Sequence, residues 1–339
     1  MSRPFLVKDI AEQAGVSTAT VDRVLNGRLH VREHMARRVH DAIAALQRQR
    51  GQIGAVGRKL MLDVVMETPQ RFAAEVRDAL DREMAALRPV LLRARCESQE
   101  VWSPQGLVEA LARIERRGSH GVLLKAPDVP EVVAAVDRLA TAGIPTVTLV
   151  TDLSGSRRIG YAGLDNEAAG ETAAWLLGRW LAPLRRAAVL VSASSVRFRG
   201  EEARLIAFRR ALQRDAPRIR QVEVSEGRGV SERTARLVER HLAAHPELVA
   251  VYSAGGANAA ILDAFARAGR RCRAFIGHDL DRDNLQLLRE RRIDAVLHHD
   301  LRLDMRRACL LLMAAHGITL AEAVPGLSPV QVITPCNLP

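Results

Sequence analysis

The sequence predicts a small all-α helix-turn-helix domain followed by a much larger α/β domain in two lobes. Three observations lead there. Residues 1–50 hold three short amphipathic helix patterns, the remainder alternates β-rich runs with helical ones, and the alternation comes in two successive sets. At 339 residues the chain is too long for one ordinary domain and long enough for a small one plus a bilobed one.

The first helix is expected over Val7-Lys8-Asp9-Ile10-Ala11-Glu12-Gln13-Ala14, and Gly15 lets the chain turn sharply after it. Ser17 is placed to cap a second helix, because its hydroxyl can accept from the new N-terminal N–H groups, and Asn26-Gly27 is a stop signal. On that helix Val21, Val24 and Leu25 share one face, while Thr18, Ala19, Asp22 and Arg23 share another. One face packs and the other is free to touch a partner. A polar loop follows Gly27. Arg32 to Gln47 repeats Met35, Val39, Ala42, Ile43 and Leu46 at helical spacing, which closes a three-helix core around Ile10, Ala14, Val21 and Val24. Arg48 to Lys59, with Gly51, Gly54 and Gly57, reads as a linker in which glycine disfavours helix.

From Leu60 onward, strands are expected at Leu62–Met66, Val90–Ala94, Gly121–Leu124 and Thr146–Val150, separated by helices near Phe72–Leu87, Pro104–Arg117 and Glu131–Ala142. A second set places strands at Ala188–Val191, Arg220–Val224, Val249–Tyr252 and Ala274–Ile276 among helices near Glu167–Leu181, Gly200–Asp215, Glu232–His245, Asn258–Ala268 and Asp281–Arg291. Such alternation implies parallel sheets covered by helices. Val296-Leu297, a helix after Asp300, and Val330–Ile333 complete the chain. The division expected is a head at 1–50, a linker at 51–60 and a two-lobed domain at 61–339, with its second lobe at about 164–292.

Composition narrows the function classes. Fifty Lys+Arg against 39 Asp+Glu give a net charge of +11, spread along the chain, which is compatible with a polyanionic partner and with a solvated surface alike. Cys96, Cys272, Cys309 and Cys336 show no C-x-x-C pair, so they read as reduced thiols rather than zinc ligands or disulfides. No leader or membrane-length apolar run is evident, and the expectation is a cytoplasmic protein without a membrane role. Aromatics at 3 % speak against base stacking on single strands. No phosphate loop, metal-binding histidine helix or nucleophile elbow appears, so neither an enzyme nor a cofactor is expected. An exported solute-binding module, the other rival, would need a signal and would not need Gly15 to Gly27.

Lys8-Asp9-Ile10-Ala11, Ala14-Gly15-Val16-Ser17, Thr20-Val21 and Arg23-Val24-Leu25-Asn26, within ten residues or so of the start, closely resemble the N-terminus of the lac-repressor (LacI/GalR) family. Gly163-Leu164-Asp165-Asn166-Glu167-Ala168-Ala169-Gly170, Ile276-Gly277-His278-Asp279 and His299-Asp300-Leu301-Arg302 carry the resemblance further down the chain. The resemblance implies a periplasmic-binding-protein-like clamshell whose last segments cross back to complete the first lobe. It also implies a ligand-responsive transcription regulator, a repressor, acting as a homodimer on double-stranded operator DNA and sensing a sugar, polyol or similar metabolite. The chain lacks the proline of the family's hinge signature, and no leucine heptads follow its last strand.

The DNA-contacting residues so implied are Ser17, Thr18, Ala19, Thr20, Asp22, Arg23 and Asn26. Recognition helices enter the major groove by their N-terminal ends, and Arg23 suits a phosphate or the guanine edge. Asp22 replaces the family's usual serine; it either accepts from a cytosine amino group, pairs with a neighbouring cation, or faces away. Asn26 serves the helix end or a backbone contact. In open parallel sheets ligands bind beyond the strands' carboxyl ends, which singles out Asp152, Ser253, Asp279 and His299. By resemblance, Arg204 grips ring hydroxyls, Asp279 accepts them, and Phe72 can stack on a sugar face. Each has a structural alternative: Asp152 in a turn, Arg204 solvated on its helix, Asp279 as a helix cap, Phe72 in the core. Relatives carry Asn or Asp where Ser253 stands and Gln where His299 stands. The adjacent His298 and His299 point to opposite faces of a strand, so no metal site is expected.

Overall fold

The structure is a computed structural model that describes residues 5–27, 31–195, 197–225, 231–320 and 323–339. Its first part is three helices, α1 (Val7–Ala14), α2 (Thr18–Leu25) and α3 (Glu33–Ala55). Ile10, Ala11, Ala14, Val21, Val39 and Ala42 are their buried core, with Val24, Leu25, Ile43 and Leu46 packed around it. The sharp turn needs Gly15, whose φ is +60°, and a Cβ there would lie 2.7 Å from the Arg38 guanidinium. Ser17 caps α2, its hydroxyl accepting from Thr20 N–H at 3.2 Å. The loop residues 28–30 lie outside the described part.

The glycine-rich linker is a correction. α3 continues through Gly51 and Gly54 to Ala55, and the first strand begins at Lys59. A glycine weakens a helix by about 1 kcal/mol and does not forbid it, and with no proline to stop it, a helix already nucleated at Glu33 propagates.

Lobe one holds β1 (Lys59–Glu67), β2 (Leu91–Gln99), β3 (Gly121–Lys125), β4 (Thr146–Leu149) and β5 (Gly160–Ala162), an all-parallel sheet in the order β2-β1-β3-β4-β5. The three-residue β5 has no counterpart among the expected strands. Side chains alternate across the sheet: Leu62, Val64, Met66 and Leu123 face α4 (Gln70–Ala86), while Val65, Val122 and Leu124 face α5 (Pro104–Arg117) and α6 (Pro130–Thr141).

Lobe two is built from α7 (Asn166–Leu181), β6 (Ala187–Ser192), α8 (Arg199–Asp215), β7 (Ile219–Val224), α9 (Ser231–Ala244), β8 (Leu248–Ser253), α10 (Asn258–Arg267), β9 (Ala274–His278) and α11 (Arg282–Arg289). Val189, Val191, Ala250 and Tyr252 pack under α7 and α8, and Leu190, Val251 and Phe275 under α9, α10 and α11. The chain's end corrects a second expectation. β10 (Ala295–His298) and β11 (Gln331–Ile333) join this sheet, whose order is β11-β10-β9-β8-β6-β7 with only the β10–β11 pair antiparallel. Of the last segments, α12 (Leu301–Ala315) is the one that returns to lobe one, burying Met305, Ala308, Cys309, Leu312 and Met313 in its core. Lobe two therefore runs past 292. Strand partnership is a matter of sheet order, which local periodicity does not encode.

The chain crosses between lobes three times: after β5, between β10 and α12, and between α12 and β11. Ser328 on the third crossing donates its N–H to Gly163 O on the first at 3.0 Å.

Candidate functional site

The head presents Ser17, Thr18, Ala19, Arg23 and Asn26 to solvent, with Thr20 and Asp22 half-buried. Thr18, Ala19 and Arg23 lie on the free side of α2, while Val21 on the other side is fully buried. Asn26 serves the helix end: its amide donates to Asp22 O and to Asp22 Oδ1, both at 2.9 Å. The Asp22 carboxylate is thus held along the helix by a neighbour.

The principal cavity lies between the lobes, beyond the carboxyl ends of the strands, with a volume of about 140 Å³. Lobe one supplies Arg71, Phe72 and Lys125; lobe two supplies Arg197, Phe198, Glu201, Arg204, Asn258, His278 and Asp279. The lobes are closed on it. At one rim Arg71 of α4 pairs with Asp281, the α11 N-cap, at 2.9 Å and with Asp283 at 3.5 Å. At another, Asp128 N–H donates to Arg197 O at 2.9 Å, Arg199 pairs with Asp128 at 3.6 Å, and Lys125 Nζ lies 4.6 Å from the Phe198 ring centre.

Arg204 is held from behind. Its Nε donates to Asn166 Oδ1 at 2.7 Å and Nη1 to Ala254 O at 3.5 Å, leaving the rest of the fork toward the cavity; the side chain is 3 % exposed. Its helix sits tightly on α7, because Gly170 leaves no side chain at the crossing: a Cβ there would lie 2.2 Å from Arg204 O. Lys125 ends β3 and donates to Glu67 O at 2.8 Å; burial pulls its pKa down. Glu201 accepts from Ser194 N–H at 2.7 Å and Ser194 Oγ–H at 2.5 Å, and burial pushes its carboxyl up despite them.

Asp279 follows β9 with φ +63°, as Val150 follows β4 at +63° and Ala257 precedes α10 at +59°. All three line the cavity, and a left-handed backbone at a non-glycine residue persists only where surrounding structure enforces it. Behind Asp279 sits His299, 1 % exposed, with Nε2 3.4 Å from Asp279 Oδ1 and Nδ1 2.5 Å from Asp304 Oδ2. Burial alone would lower the imidazole's pKa, but the two carboxylates outweigh it and raise it to about 9. The same burial would raise Asp279, and His299 with Arg204 instead holds it well below the usual carboxylate range. Asp304 also accepts from Ser328 Oγ–H at 2.7 Å. A charged chain therefore runs from the cavity wall through the second and third crossings to the first.

Of the residues expected at the site, Phe72, Arg204 and Asp279 line the cavity together. Phe72 is also part of the lobe-one core. Three do not line it. Asp152 makes a turn, accepting from Leu153 N–H at 2.8 Å and Thr148 Oγ–H at 2.7 Å, and pairs with Arg158; it faces a shallower hollow on the other side of Arg199 and Gly200. Ser253 is fully buried and donates to Gly256 O at 3.2 Å, shaping the loop whose backbone does reach the wall. His299 stands behind Asp279. Lys125, Arg197, Glu201, Asn258 and His278 were absent from the expected set. Lys125 had a signal: it ends the apolar run Gly121-Val122-Leu123-Leu124, where the strand-end rule already points.

The model for the bacterial regulatory proteins of the lacI family matches residues 6–47, and that for the periplasmic binding protein domain matches 64–317. The chain belongs to the lacI family, with a periplasmic binding protein domain behind its DNA-binding head. It is a ligand-responsive, DNA-binding transcription regulator. Similar solved structures include GanP, a glucose-galactose binding protein from Geobacillus stearothermophilus, at 20 % identity and TM-score 0.73 over 83 % of the regulator and 99 % of GanP. A solute binding protein from Agrobacterium vitis bound with α-D-tagatopyranose matches at 17 % identity and TM-score 0.72, over 82 % and 95 % of the two chains. A Bacteroides fragilis structure assigned as a LacI transcriptional regulator matches at 17 % and 0.69, over 83 % and 98 %. At these identities the likeness is one of fold. No curated protein matches by sequence. Among the described residues no helix is long and apolar enough to cross a membrane.

Proposed function

We propose that the regulator is a homodimeric repressor whose operator affinity is set by a small polyhydroxylated metabolite held between the lobes by Phe72, Arg204 and Asp279. One observation carries the ligand's polarity. Arg197 Nη2, Asn258 Oδ1 and His278 Nδ1 are buried polar atoms without a hydrogen-bond partner, and all three residues line the cavity. Unsatisfied buried polar atoms cost about 1–3 kcal/mol each, so an apolar occupant would leave that cost in place while hydroxyls relieve it.

The coupling follows from where these groups sit. Phe72 belongs to lobe one and Arg204 and Asp279 to lobe two, so a ligand touching all three favours the closed arrangement by its differential affinity for it. Asp279 is joined to the crossings by His299 and Asp304, which makes the ligand's contact and the hinge one electrostatic unit. In a twofold dimer, lobe closure resets the separation of two heads that must meet successive major grooves. Thr18, Ala19, Thr20 and Arg23 read the bases or phosphates, and Ser17, Asp22 and Asn26 hold the helix that presents them. The enzyme and exported-module readings have no such use for the head; the setting implied is the cytoplasm.

The test is binding of the full chain to duplex DNA from around its own gene, over a salt series, with and without neutral sugars and sugar acids. Operator binding that weakens with salt and changes with one of these compounds is expected. Absence of sequence-selective binding sinks the regulator's proposed role; binding indifferent to every compound sinks the proposed effector class.

A further inference from the structure

His278 ends β9 on the cavity wall, with its side chain 3 % exposed. In an extended strand His278 and Asp279 would point to opposite faces. The left-handed turn at Asp279 breaks that alternation, and both residues line the cavity. Their backbone is pinned from behind: the Asn284 amide donates to His278 O at 2.9 Å and to Asp279 O at 2.7 Å, and its Oδ1 accepts from Asn258 Nδ2 at 2.7 Å.

One nitrogen of the imidazole is already engaged. Nε2 lies 2.9 Å from the hydroxyl of Tyr252, a fully buried residue whose ring stacks on Phe208 at 4.6 Å between centroids. Among the described residues that imidazole is the hydroxyl's one hydrogen-bond partner. A buried phenol left without an acceptor carries a desolvation cost, so Tyr252 donates and Nε2 accepts. The single N–H of a neutral imidazole then falls on Nδ1. Burial keeps the ring neutral, with its pKa well below the ordinary 6.5, and Arg204 pushes the same way while Asp279 opposes it. Nδ1 is a buried nitrogen with no partner. It is a donor that lacks an acceptor, next in the chain to the acceptor Asp279.

We infer that His278 is a specificity-determining donor in the cleft, held in its Nδ1–H form by Tyr252, and that it shares one effector hydroxyl with Asp279. The inference rests on the ligand-binding reading above and narrows it to a group that accepts and donates at one oxygen. The bonds then run in one sense: Tyr252 O–H to His278 Nε2, His278 Nδ1–H to the ligand oxygen, and the ligand O–H to the Asp279 carboxylate. An ether oxygen accepts from His278 and gives Asp279 nothing. A deoxy carbon fails both. Tyr252 does not line the cavity, so it acts through the imidazole as a positioning residue.

The tests use the full chain. Two-bond proton–nitrogen correlation spectra of protein labelled at histidine read the tautomer directly, the His278 signals being assigned by their loss in H278F. His278 should be neutral with its proton on Nδ1 near neutral pH, and Y252F should release it to a mixture of tautomers. Titration calorimetry then takes D-glucose, D-galactose, D-arabinose and D-ribose, with the monodeoxy and mono-O-methyl derivatives of whichever sugar binds. H278F should weaken that sugar by about tenfold or more, and H278N, whose amide N–H can donate, should recover part of the loss. One deoxy and one O-methyl derivative, altered at the same carbon, should lose affinity for the wild type and lose little more for H278F. The inference is overturned if the wild-type proton sits on Nε2, if H278F binds the sugar within about threefold of the wild type, or if no single carbon is coupled to His278. Those outcomes leave the proposed function standing, whereas absence of binding by every sugar overturns its effector class and this inference with it.

Discussion

The head and the cavity solve recognition in opposite ways. The reading face of α2 comes from ten consecutive residues, Ser17 to Asn26, oriented by one buried valine and two half-buried apolar neighbours on the reverse side. The cavity draws on strand ends and helix starts from Glu67 to Asn284, and its central cation and carboxylate, Arg204 and Asp279, are seated by groups further out, Asn166, His299 and Asp304. A contiguous face can be altered one residue at a time, whereas an assembled one is only as good as its supports.

That contrast can be broken most severely at Val21. Val21→Asp buries a lone carboxylate in a small core, and a loss of about 3 kcal/mol or more should unfold the head and abolish DNA binding. The calorimetric transition of the two-lobed domain should stay where it is; if it falls too, head and sensor are one cooperative unit and the contrast is wrong.

Next in size is the charged chain at the hinge. His299 is raised from its ordinary 6.5 to about 9 in the folded protein, so its contribution is complete below pH 6.5 and is lost as pH rises through 9. Linkage makes this on the order of 3 kcal/mol. Stability measured by denaturant titration should decline across that window in the wild type, and the H299Q variant should lack that decline. A wild-type curve parallel to that of H299Q would remove the imidazolium from the hinge. Gly170→Ala should cost on the order of 2 kcal/mol, because the added Cβ meets Arg204 O at 2.2 Å. A fall in ligand affinity beside the lower melting temperature would show that Arg204 depends on the α7–α8 crossing; lower stability with intact affinity would detach them.

Smaller effects are expected at two positions. Ser17→Ala removes the α2 cap and should weaken operator binding by about 1 kcal/mol, seen in fluorescence anisotropy with no change in effector affinity. Asp152→Asn should leave effector affinity unchanged within error, since Asp152 belongs to a turn and to Arg158; a tenfold loss would return it to the site.

Legibility followed the same division. Periodicity, caps and glycine turns gave the helices of the head, since these signals are local. They also gave nearly every strand and helix of the large domain to within a few residues. The exceptions have physical causes: Gly160-Tyr161-Ala162 is too short to show a period, and Gly51 and Gly54 read as breakers although the helix around them carries on. Sheet order was not local, so β10 and β11 were expected in the wrong lobe. At the site, the strand-end rule found Asp279 but treated Asp152 and Ser253 alike, because it says where a chain emerges and not which way a side chain then turns. Glu201 and Arg197 precede or begin a helix that sequence reads as amphipathic surface, and only the other lobe, folded over them, makes them interior.

The left-handed backbone at Asp279 sets a limit on how this pocket can diverge. At φ +63° only glycine, asparagine and aspartate are accommodated cheaply, so position 279 can lose its charge or its side chain but cannot readily gain a longer acid or a branched residue. Lys125, Arg197 and Glu201 carry no such constraint. Changes of ligand among descendants of this sequence should therefore accumulate around a nearly invariant 279, with the anchor conserved by conformation and the taste varied by its neighbours.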